Sequence, residues 1–309
     1  MWLVYALITF LAWGAADLFY KKSNSSEEKY SHLKTSIMVG LVMGVSAVIT
    51  LLTRELNYDP RNLLVYLPVS CMYILSMTVG YFGLRYLMVS VSSPIQNASG
   101  AVSAILLMIV LKRLPDAMTG ISIVLVTAGV VMLGVWEKKK EEAELKETGK
   151  KKGIGFLAFL MPVLYCIIDS LGTFFDGWYL DDVTTTPLIG VTEETLEDVA
   201  NVSYQLTFLI VALILMVYVF VIKKEKIEIP KQGNRLAAAF LENAGQLTYV
   251  YAMSGNGIVA APVIASYCIA SVIFGRIILK EKLDRLQYVA VGLTFAGILI
   301  LGILEGLEA

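Results

Sequence analysis

Apolar residues along this chain gather into ten long runs, near 2–20, 32–53, 63–86, 93–111, 117–136, 153–179, 199–222, 235–254, 258–279 and 286–304. Each is about the 20 residues that a helix needs to cross a hydrocarbon core. The pattern predicts an all-α integral membrane protein of ten transmembrane helices. The breaks at 87–92, 112–116, 255–257 and 280–285 are short and force antiparallel neighbours. Two connections are longer. Residues 137–152 form a Lys/Glu-rich linker, and 180–198 form an acidic loop carrying Asp181, Asp182, Glu193, Glu194, Glu197 and Asp198.

Composition agrees with this class. The 309 residues are 57% hydrophobic and 17% charged, with a mean hydropathy of +0.71, far from the roughly 25% charged residues of an ordinary soluble domain. The net charge of −1 argues neither for nor against nucleic acid, but no basic aromatic patch occurs, and a nucleic-acid surface is not expected. Cys71, Cys166 and Cys268 each stand alone in an apolar run, and His32 has no companion. No metal, disulfide or cofactor is therefore expected. The first run has no basic region before it and no small-x-small cleavage site before Lys21 and Lys22, so it reads as a retained span. No GxxxxGK[ST] loop occurs, which argues against ATP-driven transport by this chain. One histidine and no cluster of acids argue against a membrane-embedded enzyme.

Charge sets the expected orientation. Of the 25 Lys and Arg residues, only Arg54, Arg61, Lys112 and Arg113 fall on one side of the ten-span topology. The remainder fall on the other, which is cytoplasmic by the positive-inside rule. Both termini and the acidic loop are then outside, and a plasma membrane is the expected location.

The chain also repeats. A shift of 168 residues places Pro94 on Pro262, Ser103 on Ser271, Asp116 on Asp284, Ala128-Gly129 on Ala296-Gly297 and Tyr81 on Tyr249. A shift of 152 places Asp17 on Asp169 and Trp13 on Tyr165. Two five-helix copies, residues 1–136 and 153–309 joined by the 137–152 linker, must insert upside down relative to one another. That is an architecture of alternating-access transporters, with the solute held near the midplane.

The residues that carry this pattern also resemble a known family. Ile278-Leu279-Lys280-Glu281-Lys282-Leu283 followed by Gly292, Gly297 and Gly302, the stretch Val79-Gly80-Tyr81-Phe82-Gly83-Leu84-Arg85-Tyr86-Leu87, and Trp13-Gly14 look like the EamA repeat of the drug/metabolite transporter superfamily. The resemblance covers both halves and implies a ten-helix carrier of a small metabolite: an amino acid, nucleotide sugar, amine or drug. Lys112-Arg113-Leu114-Pro115 departs from the fuller Glu-Lys-Leu of the second copy, and the 180–198 loop is long for the family. Relatives described with cytoplasmic termini conflict with the lysine distribution, which is retained here.

Polar groups inside the runs mark the expected site, because an ionisable side chain in a span is costly unless it meets a partner or a ligand. Glu242, Gln246 and Tyr249 fall at i, i+4 and i+7 on one face, with Asn243 beside them. Glu242 lies near the middle of its span, where a carboxyl can take up and release a proton during transport. Asp169, near Tyr165, is the second candidate. Asp17 is the third, set against a plain surface ion pair with Lys21 at i+4. Ser92-Ser93-Pro94-Ile95-Gln96-Asn97 opens the fourth span in a manner suited to a broken helix, which makes Gln96 and Asn97 candidates. Tyr81, Tyr165, Tyr249 and Tyr267, with Trp13, offer an aromatic wall for a cation. Arg85 and Arg276 read as structural residues at helix ends, and Asp176 as an interface residue.

The expected function is secondary transport, with protons as coupling ion, of a cationic or zwitterionic organic solute. The alternative is an amino-acid or nucleoside-type exchanger. The expected partners are that solute, protons and the lipid bilayer, and a homodimer is left open.

Overall fold

The computed structural model describes residues 1–24, 28–83, 96–148, 156–226, 229–278 and 283–308. The described residues form eleven helices and no strand: α1 (Trp2–Ser23), α2 (Ser31–Thr53), α3 (Asn62–Val65), α4 (Leu67–Gly83), α5 (Ser99–Leu111), α6 (Ala117–Thr148), α7 (Phe156–Tyr179), α8 (Leu196–Met216, continued by a π-turn Val217–Ile222), α9 (Ile229–Ala265), α10 (Tyr267–Ile278) and α11 (Arg285–Glu308). Seven are long and apolar enough to cross a membrane; Leu67–Phe82, Ser99–Leu111 and Tyr267–Ile278 are shorter apolar helices. Arg85, Ser92, Ser93, Pro94, the Lys280–Lys282 stretch and linker residues 149–152 lie outside the described residues.

The helices differ from the expected runs where local chemistry intervenes. The third run is interrupted at Tyr66, between α3 and α4. The fifth span does not stop at Trp136 but continues through the Lys/Glu-rich stretch to Thr148, a composition of strong helix formers. The eighth and ninth runs join in α9, with a kink at Asn256 (φ −167°, ψ 77°) where the Ser-Gly-Asn-Gly break was expected. A turn at Ser266 separates α9 from α10, four residues after Pro262. A matching turn at Ala98 separates Gln96-Asn97 from α5.

Packing follows from what lipid can and cannot do. Hydrocarbon competes for apolar side chains, so Leu52, Val124, Ile214 and Leu299 remain exposed on the outer faces, and cohesion comes from close approach and interior polar contacts. The most extensive contacts join α1 to α9, α2 to α8, α6 to α11 and α4 to α7. Small residues permit them. A Cβ at Gly40 of α2 would lie 2.4 Å from the carbonyl oxygen of Phe208 in α8. Where α6 crosses α11, a Cβ at Gly129 would lie 2.7 Å from the carbonyl oxygen of Ala290, and one at Gly297 would lie 2.7 Å from that of Ser122. The fourth and ninth runs cross where a Cβ at Gly100 would meet the Ala265 Cβ at 2.4 Å.

At the end of the bundle away from the termini, a buried ion cluster ties three helices together. Lys34 at the start of α2 and Arg235 in the first turns of α9 grip the Glu28 carboxylate at 2.7 and 2.6 Å. Arg235 also donates to the carbonyl of Ser23 at the end of α1, at 3.3 Å, and Lys34 donates to that of Lys226 at 2.8 Å. All three charged side chains are buried. Burial works against the Glu28 charge, but hydrogen bonds from Lys34 and Arg235 outweigh it and hold the carboxyl below its ordinary value of 4.5. Outside the spans, the Asp116 carboxylate caps α6 through the Thr119 hydroxyl and the backbone N–H groups of Thr119 and Met118, and these contacts lower its pKa.

A depressed carboxyl stabilises the fold above its ordinary pKa, and that contribution is lost as pH falls through the folded value. The thermal midpoint of the purified protein should therefore drop on acidification below about pH 4.5. Glu28→Gln removes the anion that holds both cations, leaving Lys34 only the Glu225 carboxylate at 4.0 Å. It should cost about 3 kcal/mol at neutral pH and flatten the acid limb of a plot of thermal midpoint against pH; an unchanged limb would contradict the assignment.

Candidate functional site

The described helices enclose a cavity lined from α1, α4, the start of the fourth run, α7, α8, α9 and α10. It collects ten of the residues singled out from sequence: Trp13, Asp17, Tyr81, Gln96, Asn97, Tyr165, Asp169, Glu242, Tyr249 and Tyr267. Three carboxyls from three helices therefore meet on one space. Among the described lining residues there is no Lys, Arg or His.

Each carboxyl takes hydrogen bonds from another helix. The Tyr20 hydroxyl of α1 donates to Glu242 Oε2 of α9 at 3.1 Å. Ser271 Oγ of α10 donates to Asp17 Oδ2 at 2.9 Å. Asp169 of α7 accepts from Ser76 Oγ of α4 at 3.2 Å and from Ser99 Oγ of α5 at 2.7 Å. Asp17 thus faces inward to Ser271, while the Lys21 side chain is exposed. The half-buried Asp17 carboxyl lines the cavity and is bonded to Ser271, a geometry unlike a surface pair with Lys21.

Aromatic rings form much of the wall. Trp13 stacks on Tyr249, with centroids 5.3 Å apart and planes 28° apart, and meets Tyr267 edge-on at 6.0 Å. Its indole N–H donates to the Glu242 carbonyl at 3.2 Å. Tyr20 lies against Tyr81 with centroids 4.8 Å apart. Glycines make room: a Cβ at Gly245 would lie 2.4 Å from Trp13 Cδ1, and one at Gly80 would lie 2.9 Å from Tyr165 Cδ2. The two aromatic residues paired by the 152-residue shift each rest on a glycine of the other half.

Toward the terminus-bearing end, linked hydroxyls line the cavity. Tyr73 joins Tyr249 and Thr173, and Tyr66 donates to Asp176 beyond them. Asp176 is buried at the α4–α7 contact, consistent with an interface residue.

Two expected residues do not line the cavity. Asn243 turns toward α8, accepting from Gln205 Nε2 at 3.0 Å. Gln246 is buried among the helices, because the i+4 position points past the cavity edge that Glu242 and Tyr249 reach. Sequence reasoning missed Tyr20, Ser76, Ser99, Tyr73 and Tyr204. Tyr20 was findable three residues after Asp17 on the same helical face. The serines look like ordinary small packing residues until α4 and α5 are placed beside Asp169.

A buried, aromatic-walled cavity carrying carboxyls, inside a bundle of apolar helices, is a form that suits a solute site in a multi-pass membrane protein. The profile of the EamA-like transporter family matches residues 1–135 and 184–303. The chain belongs to that family, whose members are transporters rather than enzymes, and so it is an integral membrane protein with a small-molecule solute and lipid as partners. Among curated proteins, none matches the sequence. A solved chain described as "Crystal structure of protein" superposes with a TM-score of 0.69 at 11% identity, covering 100% of this chain and 99% of its own. At that identity the likeness carries the fold alone.

The Trp13–Gly245 contact yields a test that needs no solute. Gly245→Val should cost about 1–3 kcal/mol through overpacking, read as a lower thermal midpoint with altered tryptophan fluorescence. In a Trp13→Ala background most of that cost should vanish, since the two sites share one contact. Additive losses in the double variant would show that the indole is not what fills the space above Gly245.

Proposed function

We propose that this chain is a proton-coupled secondary transporter that carries a cationic or zwitterionic organic solute by alternating access. The observation that carries the proposal is the convergence of Asp17, Asp169 and Glu242 on one cavity without a basic side chain among its described lining residues. Carboxyls there can exchange protons for a solute cation, and the rings of Trp13 and Tyr249 suit the cation's apolar groups.

Ten crossings in two inverted five-helix copies are part of the same reading. Supporting it, the Ala98 and Ser266 turns stand 168 residues apart, the same spacing as the longer sequence repeat. The main helix contacts also interchange under the repeat. The first span packs on the eighth and the third on the sixth, while the second packs on the seventh and the fifth on the tenth. The Met1 ammonium pairs with Glu305 at 2.5 Å, which brings both ends of the chain to one face and suits an even number of crossings. Broken helices at a cavity between such halves are the form expected of a midplane solute site. The lysine distribution orients that face outside a plasma membrane.

Purified protein in liposomes should accumulate a labelled organic cation when a pH gradient is imposed. Glu242→Gln should lose that response while the protein stays monodisperse, with uptake under the gradient falling about tenfold or more. Gradient-driven uptake that survives the substitution would sink the coupling role of Glu242. Alkaline phosphatase fused after Ala309 should be active on the outer side; a fusion active only after lysis would reverse the orientation.

A further inference from the structure

Two residues lining the cavity keep a buried polar atom without a partner among the described residues, the Tyr81 hydroxyl and the Gln96 amide nitrogen. Gln96 is only 8% exposed, and its Nε2 can only donate. It lines the cavity beside Gly80, where a Cβ would lie 3.5 Å from that nitrogen. Gln96 also stands three residues before Ser99, whose hydroxyl holds the Asp169 carboxylate at 2.7 Å. An unused donor and a hydrogen-bonded carboxyl therefore line the same cavity.

We propose that the solute carries an ammonium and, a few bonds away, a neutral hydrogen-bond acceptor such as an ester or amide oxygen. The acceptor meets Gln96 Nε2 while the ammonium sits at Asp169 among the aromatic rings. This rests on the proposed reading of the cavity as a solute site and narrows it. A buried donor is costly to leave unpaired, so the solute's acceptor completes the site. A free carboxylate is a poor acceptor here. It would bring a fourth acidic group beside Asp17, Asp169 and Glu242, with no Lys, Arg or His among the described lining residues to offset it, and a like charge in a poorly hydrated site is strongly disfavoured. A free α-amino acid therefore fits less well than its ester or amide.

Three permanently charged probes of similar length test this in liposomes holding the full chain: acetylcholine, n-pentyltrimethylammonium, and 4-trimethylammoniobutanoate. None changes its cationic charge with pH. The proposal expects acetylcholine to have the lowest half-saturating concentration, with the alkyl probe about tenfold weaker, the value of one hydrogen bond. The carboxylate probe should stay at the level of protein-free liposomes. Gln96→Met, similar in volume, should bring the acetylcholine-to-alkyl ratio to about one. The probe ranking in the unaltered protein stands as a measurement independent of that variant's folding. Equal uptake of the carboxylate and ester probes, or a ratio unchanged in Gln96→Met, overturns the proposal while transport of the alkyl probe leaves the cation-carrier reading standing. If none of the probes is taken up or raises the thermal midpoint, that reading and this proposal fall together.

Discussion

A carboxyl placed within a membrane bundle must find its hydrogen-bond donors on other helices, and that requirement organises this protein. Glu242 takes its bond from Tyr20 across the α1–α9 contact. Asp17 takes one from Ser271 across α1–α10, and Asp169 takes two from α4 and α5. The apolar exterior gives no comparable direction, since lipid serves Leu52 or Leu299 as well as another helix would. Hydrogen bonds across helices, together with glycine contacts that let backbones approach, therefore specify which helices meet.

The two ends of the bundle are held by unlike contacts. At the lysine-rich end, Glu28 holds Lys34 and Arg235 in a buried cluster that joins α1, α2 and α9. At the terminus-bearing end, hydroxyls of Tyr66, Tyr73, Thr173 and Tyr249 form the corresponding layer with Asp176. A buried ion cluster adds little net stability over apolar packing but strongly penalises arrangements that separate its members. A layer of neutral hydroxyls has no such charge penalty. The ion-cluster end is accordingly the more strictly determined of the two.

Much of the site was legible before the fold. Glu242, Asp169 and Tyr249 stood out because polar groups in apolar runs have few innocent explanations, and the repeat drew attention to Asp17 by pairing it with Asp169. Periodicity erred on Gln246, since a single helical face spans more angle than the cavity mouth covers. It was silent on Ser76 and Ser99, because a serine's role depends on what lies opposite. The Asp17 question, surface pair with Lys21 or site residue, could not be decided along one helix: both readings satisfy the i+4 spacing, and only the position of α10 separates them.

By itself, the sequence determined that the chain lies in a membrane, where the apolar runs fall, and which family it resembles. Those properties follow from local hydropathy and residue identity, which lipid reads directly. The tertiary structure decided that three carboxyls share one cavity, that Asn243 turns away to Gln205, and that the Gln96 amide nitrogen lines the same cavity without a partner among the described residues. Those depend on how helices distant in sequence cross, and that is set by contacts such as Trp13 on Gly245 and Gly100 on Ala265, in which each partner matters only once the other is in place.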